Sequence, residues 1–345
     1  MSDGGRHWTE QELDDALDRL NADVRVSDER LGEAKDRMLA EIDGGGRRRP
    51  RVVGVAASML VVVGLVVALL VAQTENPLGP ASAEAVATLE LAAIEAEDTP
   101  VGPGRFRYVA THAWHLREIG RTAYLAETVT EVWAPAEYER EWEMRRSETG
   151  RRVWVLGSEA EALAAGLTVN PPGPAGLPVK ARCGDFAAVL TGQPPCTTPG
   201  QWQAPTREFI AGLPREPGPL LDRLRADAPD HGRGDSQLLI YAADALRGGL
   251  LPADVRTPLF RALAMLQGLQ ITDNAANLDG RRGTAVGIDD GRVRQEIIID
   301  PVTGVFVGER QVLTTESESG VPAGTVTGFT AVEIAVVDET GVRPN

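Results

Sequence analysis

Cysteine and lysine are scarce in this 345-residue chain, and basic residues are outnumbered. The chain has only two cysteines, which excludes a disulfide-dense small protein. Lys35 and Lys180 are its only lysines, and 35 basic residues face 50 acidic ones, for a net charge of −15. Nucleic-acid binders need surplus cations to neutralise phosphates. The composition therefore predicts no nucleic-acid partner, while 43% hydrophobic residues exclude wholesale disorder.

Signatures of catalysis are missing as well. The sequence contains no G-x-S-x-G, S-x-x-K, P-loop, G-x-G-x-x-G or H-E-x-x-H motif. His112 and His115 are three residues apart on a predicted strand, so they face opposite sides and cannot share one metal ion. Asn277, Asp279 and Gly280 resemble part of a calcium loop, but the match fails at its first and last ligand positions. We therefore predict no enzyme, cofactor or metal site.

A single long apolar run, residues 52–72, contains 21 residues without a charge. At about 1.5 Å per helical residue it would span about 31 Å, which matches the bilayer core. Arg47, Arg48, Arg49 and Arg51 precede it, and such clusters favour the cytoplasmic side. A cleaved signal peptide has a shorter apolar core, of about 7–15 residues. We predict a retained transmembrane helix with its arginine flank at 47–72, with the amino terminus in the cytoplasm.

The leader, residues 1–46, shows two short amphipathic helix patterns and an acidic balance. It has too few apolar positions to form a core alone, so its helices would order on a partner or remain a solvated spacer. Short cytoplasmic helices on single-pass anchors can sequester sigma factors, and a sigma factor is the predicted partner. The zinc-binding form of that module is excluded, because the leader has His7 but no cysteine.

A linker at 73–81 leads to a predicted extracytoplasmic domain at 82–340. Apolar residues alternate over 106–116, as expected for a half-buried strand. Further strands are predicted at 123–133, 141–146, 151–156, 284–288, 293–300, 305–313 and 325–337. Helices are predicted at 82–97, 220–228, 236–247 and 252–266. The fold class is therefore α+β, with a curved antiparallel, half-barrel-like sheet packed on helices.

Residues 171–219 hold 11 of the 23 prolines, and no regular core element is predicted in this insert. Both cysteines, Cys183 and Cys196, lie inside it. Outside the cytoplasm they are free to oxidise, and the chain between them is long enough to close a loop. We predict a disulfide between them.

Six aromatic residues fall in the first four predicted strands. They either fill the core or form the wall of a groove for an apolar ligand. The six are Phe106, Tyr108, Trp114, Trp133, Trp142 and Trp154.

Three segments carry a family resemblance: residues 250–268, residues 285–310 with the Asp300-Pro-Val-Thr-Gly304 turn, and the Pro-Gly-x-Phe-x-Tyr-Val sequence at 103–109. The chain resembles a family of uncharacterised actinobacterial single-pass membrane proteins. These share an acidic leader, an arginine-flanked span and an outer α+β domain, and are often encoded beside extracytoplasmic-function sigma factors. The resemblance implies a regulatory role. The order of elements is also similar to LolA-like and RseB-like half-barrels, by analogy of topology.

The sequence thus leads to two functional hypotheses. The first is a membrane-anchored regulator whose outer domain senses an envelope signal and whose leader binds a sigma factor. The second is a membrane-tethered carrier of lipid or lipoprotein, with the aromatic residues lining its groove.

Overall fold

The structure, a computed structural model, describes residues 79–169, 176–229 and 232–344. The predicted leader, the span at 47–72 with its four flanking arginines and most of the linker lie outside the described residues. Within the described ranges, no helix is both long and apolar enough to cross a membrane.

The described chain contains nine strands and seven helices. The strands are β1 (Phe106–Ile119), β2 (Thr122–Pro135), β3 (Glu141–Leu156), β4 (Val179–Arg182), β5 (Gln270–Leu278), β6 (Arg281–Asp289), β7 (Val293–Ile299), β8 (Phe306–Leu313) and β9 (Val326–Val337). The helices are α1 (Ala83–Ile94), α2 (Glu159–Ala164), α3 (Phe186–Thr191), α4 (Arg207–Ala211), α5 (Pro217–Asp227), α6 (Asp235–Arg247) and α7 (Ala253–Leu263).

All nine strands form one sheet in the order β4-β3-β2-β1-β9-β8-β7-β6-β5. Every neighbouring pair is antiparallel, and neighbouring strands are consecutive in the chain except where β1 meets β9. The first and last long strands of the domain therefore pair at its centre. The sheet is unclosed, with β4 and β5 at its edges.

One face of the sheet packs against the helices, and we call it the helix face. Val109 of β1, Val286 of β6 and Val332 of β9 join a single apolar cluster there with α1, α5, α6 and α7. Leu239 and Leu259 of the helices are fully buried in it. This cluster is the main core of the domain and supplies most of its hydrophobic stabilisation.

The other face is concave. In the sheet, β1 and β6 are separated by β9, β8 and β7, so a flat sheet would hold them about 19 Å apart. Instead Asp279 Oδ2, in the β5–β6 turn, lies 3.5 Å from His112 Nδ1 of β1. The sheet must therefore curl strongly toward the face that carries Tyr108, His112 and Trp114, which we call the concave face.

The predicted α+β class with a curved antiparallel sheet is confirmed for the described residues. The turn from Asp300 to Gly304 joins β7 and β8, as its sequence indicated, with the Gly304 N–H donating to the Asp300 carbonyl at 2.9 Å. Gly304 has φ +65°, and a Cβ there would lie 2.8 Å from the Cα of Ala92 in α1. Only glycine allows the turn to approach the helix so closely.

Several elements differ from the sequence prediction. The predicted strands at 141–146 and 151–156 are one continuous strand, β3, and β5 was not predicted. The prediction of no regular core element in the insert was wrong, because 176–219 contains β4, α3, α4 and the start of α5. Side chains of Asp185 and Thr206 cap α3 and α4, and Trp202 is only 1% exposed. Local capping and one buried tryptophan thus order a proline-rich segment.

Candidate functional site

A cleft of about 670 Å³ opens on the helix face. Its floor is formed by β1 and β2, which contribute Val109, Thr111, Thr130 and Ala134. The insert forms one wall and the carboxyl end of α6 forms the other. Aliphatic side chains with a few placed polar groups are the usual lining of a small-molecule site.

The disulfide between Cys183 and Cys196 is present and lines this cleft, with an S–S distance of 1.98 Å and a Cα–Cα distance of 5.5 Å. Asp185 holds the same loop by accepting hydrogen bonds from the backbone N–H groups of Ala188, Thr197 and Thr198. Burial raises the pKa of Asp185, but these hydrogen bonds outweigh it, so its pKa is lowered. The wall formed by the insert is therefore held in place by the disulfide and by the hydrogen bonds to the Asp185 carboxylate.

The rim of the cleft near β3 carries charges of both signs. The Arg207 guanidinium lies 4.4 Å from the Tyr138 ring centroid and its Nη1 lies 3.5 Å from Glu139 Oε1. The side chains of Arg207 and Glu139 are 56% and 75% exposed, so water screens their attraction. They offer a bound ligand charged partners without a large desolvation cost.

Opposite this rim, Arg247 of α6 bridges two carboxylates. It donates to Asp244 on its own helix and to Glu309 of β8. Glu309 is 7% exposed and also accepts from Gln295 Nε2 at 3.3 Å. Burial raises the pKa of Glu309 to about 7, because lost hydration outweighs the attraction of Arg247. Asp244 and Arg247 line the cleft, whereas Glu309 is not among its lining residues.

The structure does not bring the six predicted aromatic side chains into one groove. Phe106, Tyr108, Trp114 and Trp133 belong to the concave face, whereas Trp142 lines the cleft on the helix face. Trp154 packs against Tyr124 on that second face, with ring centroids 4.9 Å apart. Tyr108, Trp114 and Trp133 are at most 4% exposed.

Those concave-face rings are covered by their own neighbours. Tyr108 and Trp133 lie 5.3 Å apart between centroids, and Trp114 stacks on Phe329 at 5.8 Å. Arg151 lies over the Trp114 ring at 5.0 Å. Of the two sequence interpretations, these contacts match core packing.

Buried carboxylates occupy much of the concave face, each paired with arginine. Glu296 accepts from Arg294 at 2.6 Å and from Arg310 at 2.5 Å. Glu131 accepts from Arg343 Nε at 2.6 Å and from the Tyr108 hydroxyl at 2.8 Å. Burial raises the pKa of Glu131, but the bonds from Arg343 and Tyr108 bring it below its ordinary value. Such a polar surface is unsuited to apolar chains.

A second cluster lies on the concave face, where β1, β2 and the β5–β6 turn meet. His112 Nδ1 lies 3.4 Å from Glu127 Oε1 and 3.5 Å from Asp279 Oδ2. Within the described ranges this is the only group of three His, Cys, Asp or Glu side chains spaced to hold a metal ion. The sequence predicted no contact between His112 and Asp279, because they meet only through the curl of the sheet.

Comparison with protein-family models, curated proteins and solved structures found no match to this chain.

Proposed function

We propose that residues 79–344 are the sensing domain of a membrane-anchored regulator and that the cleft on the helix face binds its envelope ligand. The observation that carries this proposal is the cleft itself, with its volume of about 670 Å³, a floor of aliphatic and threonine side chains, and charged walls. Its shape suits an amphipathic molecule with an apolar body and a charged head. The leader transmits the signal to a cytoplasmic partner, for which a sigma factor is our candidate.

Two further features support this reading. The bond between Cys183 and Cys196 is typical of proteins outside the reducing cytoplasm, which agrees with an extracytoplasmic domain. The run at 52–72 has the length and composition of a single membrane span. Together they favour a ligand-binding domain on one side of a membrane and the leader on the other.

The carrier alternative has less support. It requires an apolar groove on the concave face, where the described aromatic side chains are buried against Phe329, Arg151 and each other. A lipid chain placed there would also contact the paired carboxylates Glu131 and Glu296. The regulator is therefore the function that we propose.

Filling the cleft tests whether it binds ligands. The full chain in detergent, mixed with undecanoate as an amphipathic probe, is expected to retain one probe molecule in native mass spectrometry. Thr130→Trp, on the floor of the cleft, should abolish retention because the indole occupies the space. Glu148→Trp, an exposed position on neighbouring β3 outside the lining, is the control and should retain the probe. Equal retention by the wild type and Thr130→Trp would contradict a binding role for the cleft.

The partner is tested with the leader. The full chain should co-purify with one of the host's extracytoplasmic-function sigma factors, and the chain lacking residues 1–46 should not. Failure of the full chain to capture any such sigma factor at low and high salt would remove the sigma-factor version of the proposal. Binding at the cleft would be unaffected by that outcome.

A further inference from the structure

We infer that His112, Glu127 and Asp279 form a binding site for a zinc ion on the concave face. The three side chains come from β1, β2 and the β5–β6 turn, and the site does not depend on the cleft or on its ligand. Each residue contributes one ligand atom, and all three atoms lie within 4.8 Å of one another.

Two of the three distances between the ligand atoms, those from His112 Nδ1, match tetrahedral zinc. Zinc binds nitrogen and oxygen at about 2.0–2.2 Å, so neighbouring ligands of a tetrahedron lie about 3.3–3.6 Å apart. The distances from His112 Nδ1 to Glu127 Oε1 and to Asp279 Oδ2 are 3.4 and 3.5 Å. Three protein ligands leave the fourth position for water. Calcium, which takes 6–8 oxygen ligands, is a poor fit to a set that includes an imidazole.

Neighbouring groups orient two of the ligands. The Thr149 hydroxyl donates to Glu127 Oε2 at 2.6 Å, which leaves Oε1 facing both His112 Nδ1 and Arg151 Nη1. Asp279 has φ +51°, a left-handed conformation that aspartate tolerates, and the adjacent Gly280 N–H donates to the Asn277 side chain at 2.9 Å. Such outer contacts position metal ligands.

The cluster holds a buried carboxylate that is already paired with a cation, and an unpaired donor lies on the same face. The Glu127 side chain is 1% exposed, and a carboxylate so buried requires a positive partner. Arg151 Nη1 supplies one at 2.9 Å, and its Nη2 lies 4.0 Å from Asp279 Oδ1. On the same face, the Trp114 indole N–H is buried and has no hydrogen-bond partner within the described ranges. That donor is available to a water or anion near the site.

Arg151 is thus a tethered cation that competes with the metal. Its side chain is 58% exposed, so it can turn out into solvent when zinc enters and neutralises Glu127 and Asp279. The bound ion would then join β1 and β2 to the β5–β6 turn across the concave face. We expect zinc to stabilise the curled sheet because it binds the folded chain and connects its two sides.

The site is tested with the full chain after a chelator has removed any bound metal. Zinc is titrated into it in a calorimeter, and its thermal unfolding is measured with and without zinc. The wild type should bind zinc and unfold at a higher temperature with it, whereas magnesium and calcium should produce no shift. His112→Ala and Asp279→Asn should weaken zinc binding at least tenfold. His115→Ala, on the same strand but facing the other side, is the matched control and should leave this binding unchanged.

Arg151→Gln provides a gain-of-binding variant that misfolding cannot imitate. Removing the competing cation should tighten zinc binding severalfold, since the ion no longer has to displace the guanidinium. Circular dichroism of each metal-free variant checks that it is folded. Unchanged zinc affinity in His112→Ala and Asp279→Asn, or no tightening in Arg151→Gln, would overturn the assignment.

Discussion

A single buried carboxyl group, Glu309, makes the stability of the domain depend on pH. It shares Arg247 with Asp244, and the one guanidinium cannot compensate two carboxylates equally. The more deeply buried Glu309 bears the larger hydration loss, which raises its pKa to about 7. Arg247 also lowers the pKa of His115, alongside the larger effect of burial. The charge of Arg247 therefore reaches several groups around the end of α6.

Glu309 should lower the free energy of unfolding as the pH rises from 4.5 to 7. The ordinary pKa of the residue is 4.5, so the folded chain holds more protons than the unfolded chain in this window. The contribution of Glu309 to the free energy of unfolding is fully present below pH 4.5 and is lost as the pH rises through 7. The free energy of unfolding falls by about 3 kcal/mol over this range. Urea unfolding of the full chain at several pH values measures it.

Glu309→Gln should flatten this dependence because the amide does not titrate. Glu339→Gln, at an exposed position, is the control and should keep the wild-type slope. Parallel pH profiles for the wild type and Glu309→Gln would refute the assignment of the slope to this residue.

At the residue scale, the sequence predicted the contact that depends on nearby residues and missed contacts that depend on the curvature of the sheet. The disulfide followed from two cysteines in one short segment, and it is present. The cluster of His112, Glu127 and Asp279 brings together positions separated by more than 150 residues along the chain. The spacing of residues along a strand cannot predict such a contact. It specifies the face of the sheet on which a side chain lies, but not which distant residues lie opposite that face.

Among the elements, the wall of the cleft depends most on covalent support. Cys183 and Cys196 both have positive φ, 59° and 65°, which most residues other than glycine avoid. The disulfide holds the two in this conformation and closes a loop between positions 13 apart. The insert thus combines backbone strain with a cross-link that maintains it.

Replacing both cysteines with alanine should lower the free energy of unfolding by about 3 kcal/mol, as expected for a loop of this length. Replacing both with glycine should cost less than the alanine pair, because glycine adopts positive φ without strain. Denaturant unfolding of the three full-length chains gives the order. If the double alanine variant is as stable as the wild type, the disulfide does not stabilise the fold. If the double glycine variant is less stable than the double alanine variant, the positive φ angles of the two cysteines do not strain the backbone.

Element prediction succeeded where the periodicity was strong and failed where the composition was polar. The alternation over 106–116 and the turn at Asp300 to Gly304 located β1 and the β7–β8 hairpin. In contrast, Gln270–Leu278 is rich in Asn, Asp and Ala, and its pairing with β6 has two register shifts. Strand β5 is formed through its partner β6 and through the buried Leu278, which sequence propensity does not record.

At the scale of the whole molecule, cooperativity depends on the pairing of β1 with β9. Phe106 pairs with Val337 and His115 with Gly328, contacts that join two ends of the described chain. Without β9 the sheet would separate into β4-β3-β2-β1 and β8-β7-β6-β5. The strand residues of the main core come mostly from β6, β7 and β8, so β9 is the strand that joins β4-β3-β2-β1 to that core.

A chain truncated before β9, ending at residue 325, should therefore lack cooperative unfolding. Truncation after Arg343 is the control, because it keeps β9, the bond from Trp133 Nε1 to the Val342 carbonyl and the pairing of Arg343 with Glu131. Circular dichroism during thermal unfolding distinguishes the two. A sharp, wild-type transition in the chain ending at 325 would show that β9 is dispensable.

Because the sheet is unclosed, its edge strands could pair with those of another copy of this protein at high concentration. Strand β4 covers only Glu141–Met144 of β3, so most of β3 forms a long lateral border. An uncharged border of that length would template amyloid-like association between molecules. Charged side chains stand along it, namely Arg145, Arg146, Glu148, Arg151 and Arg152, and contact between two such borders would cost these groups their hydration.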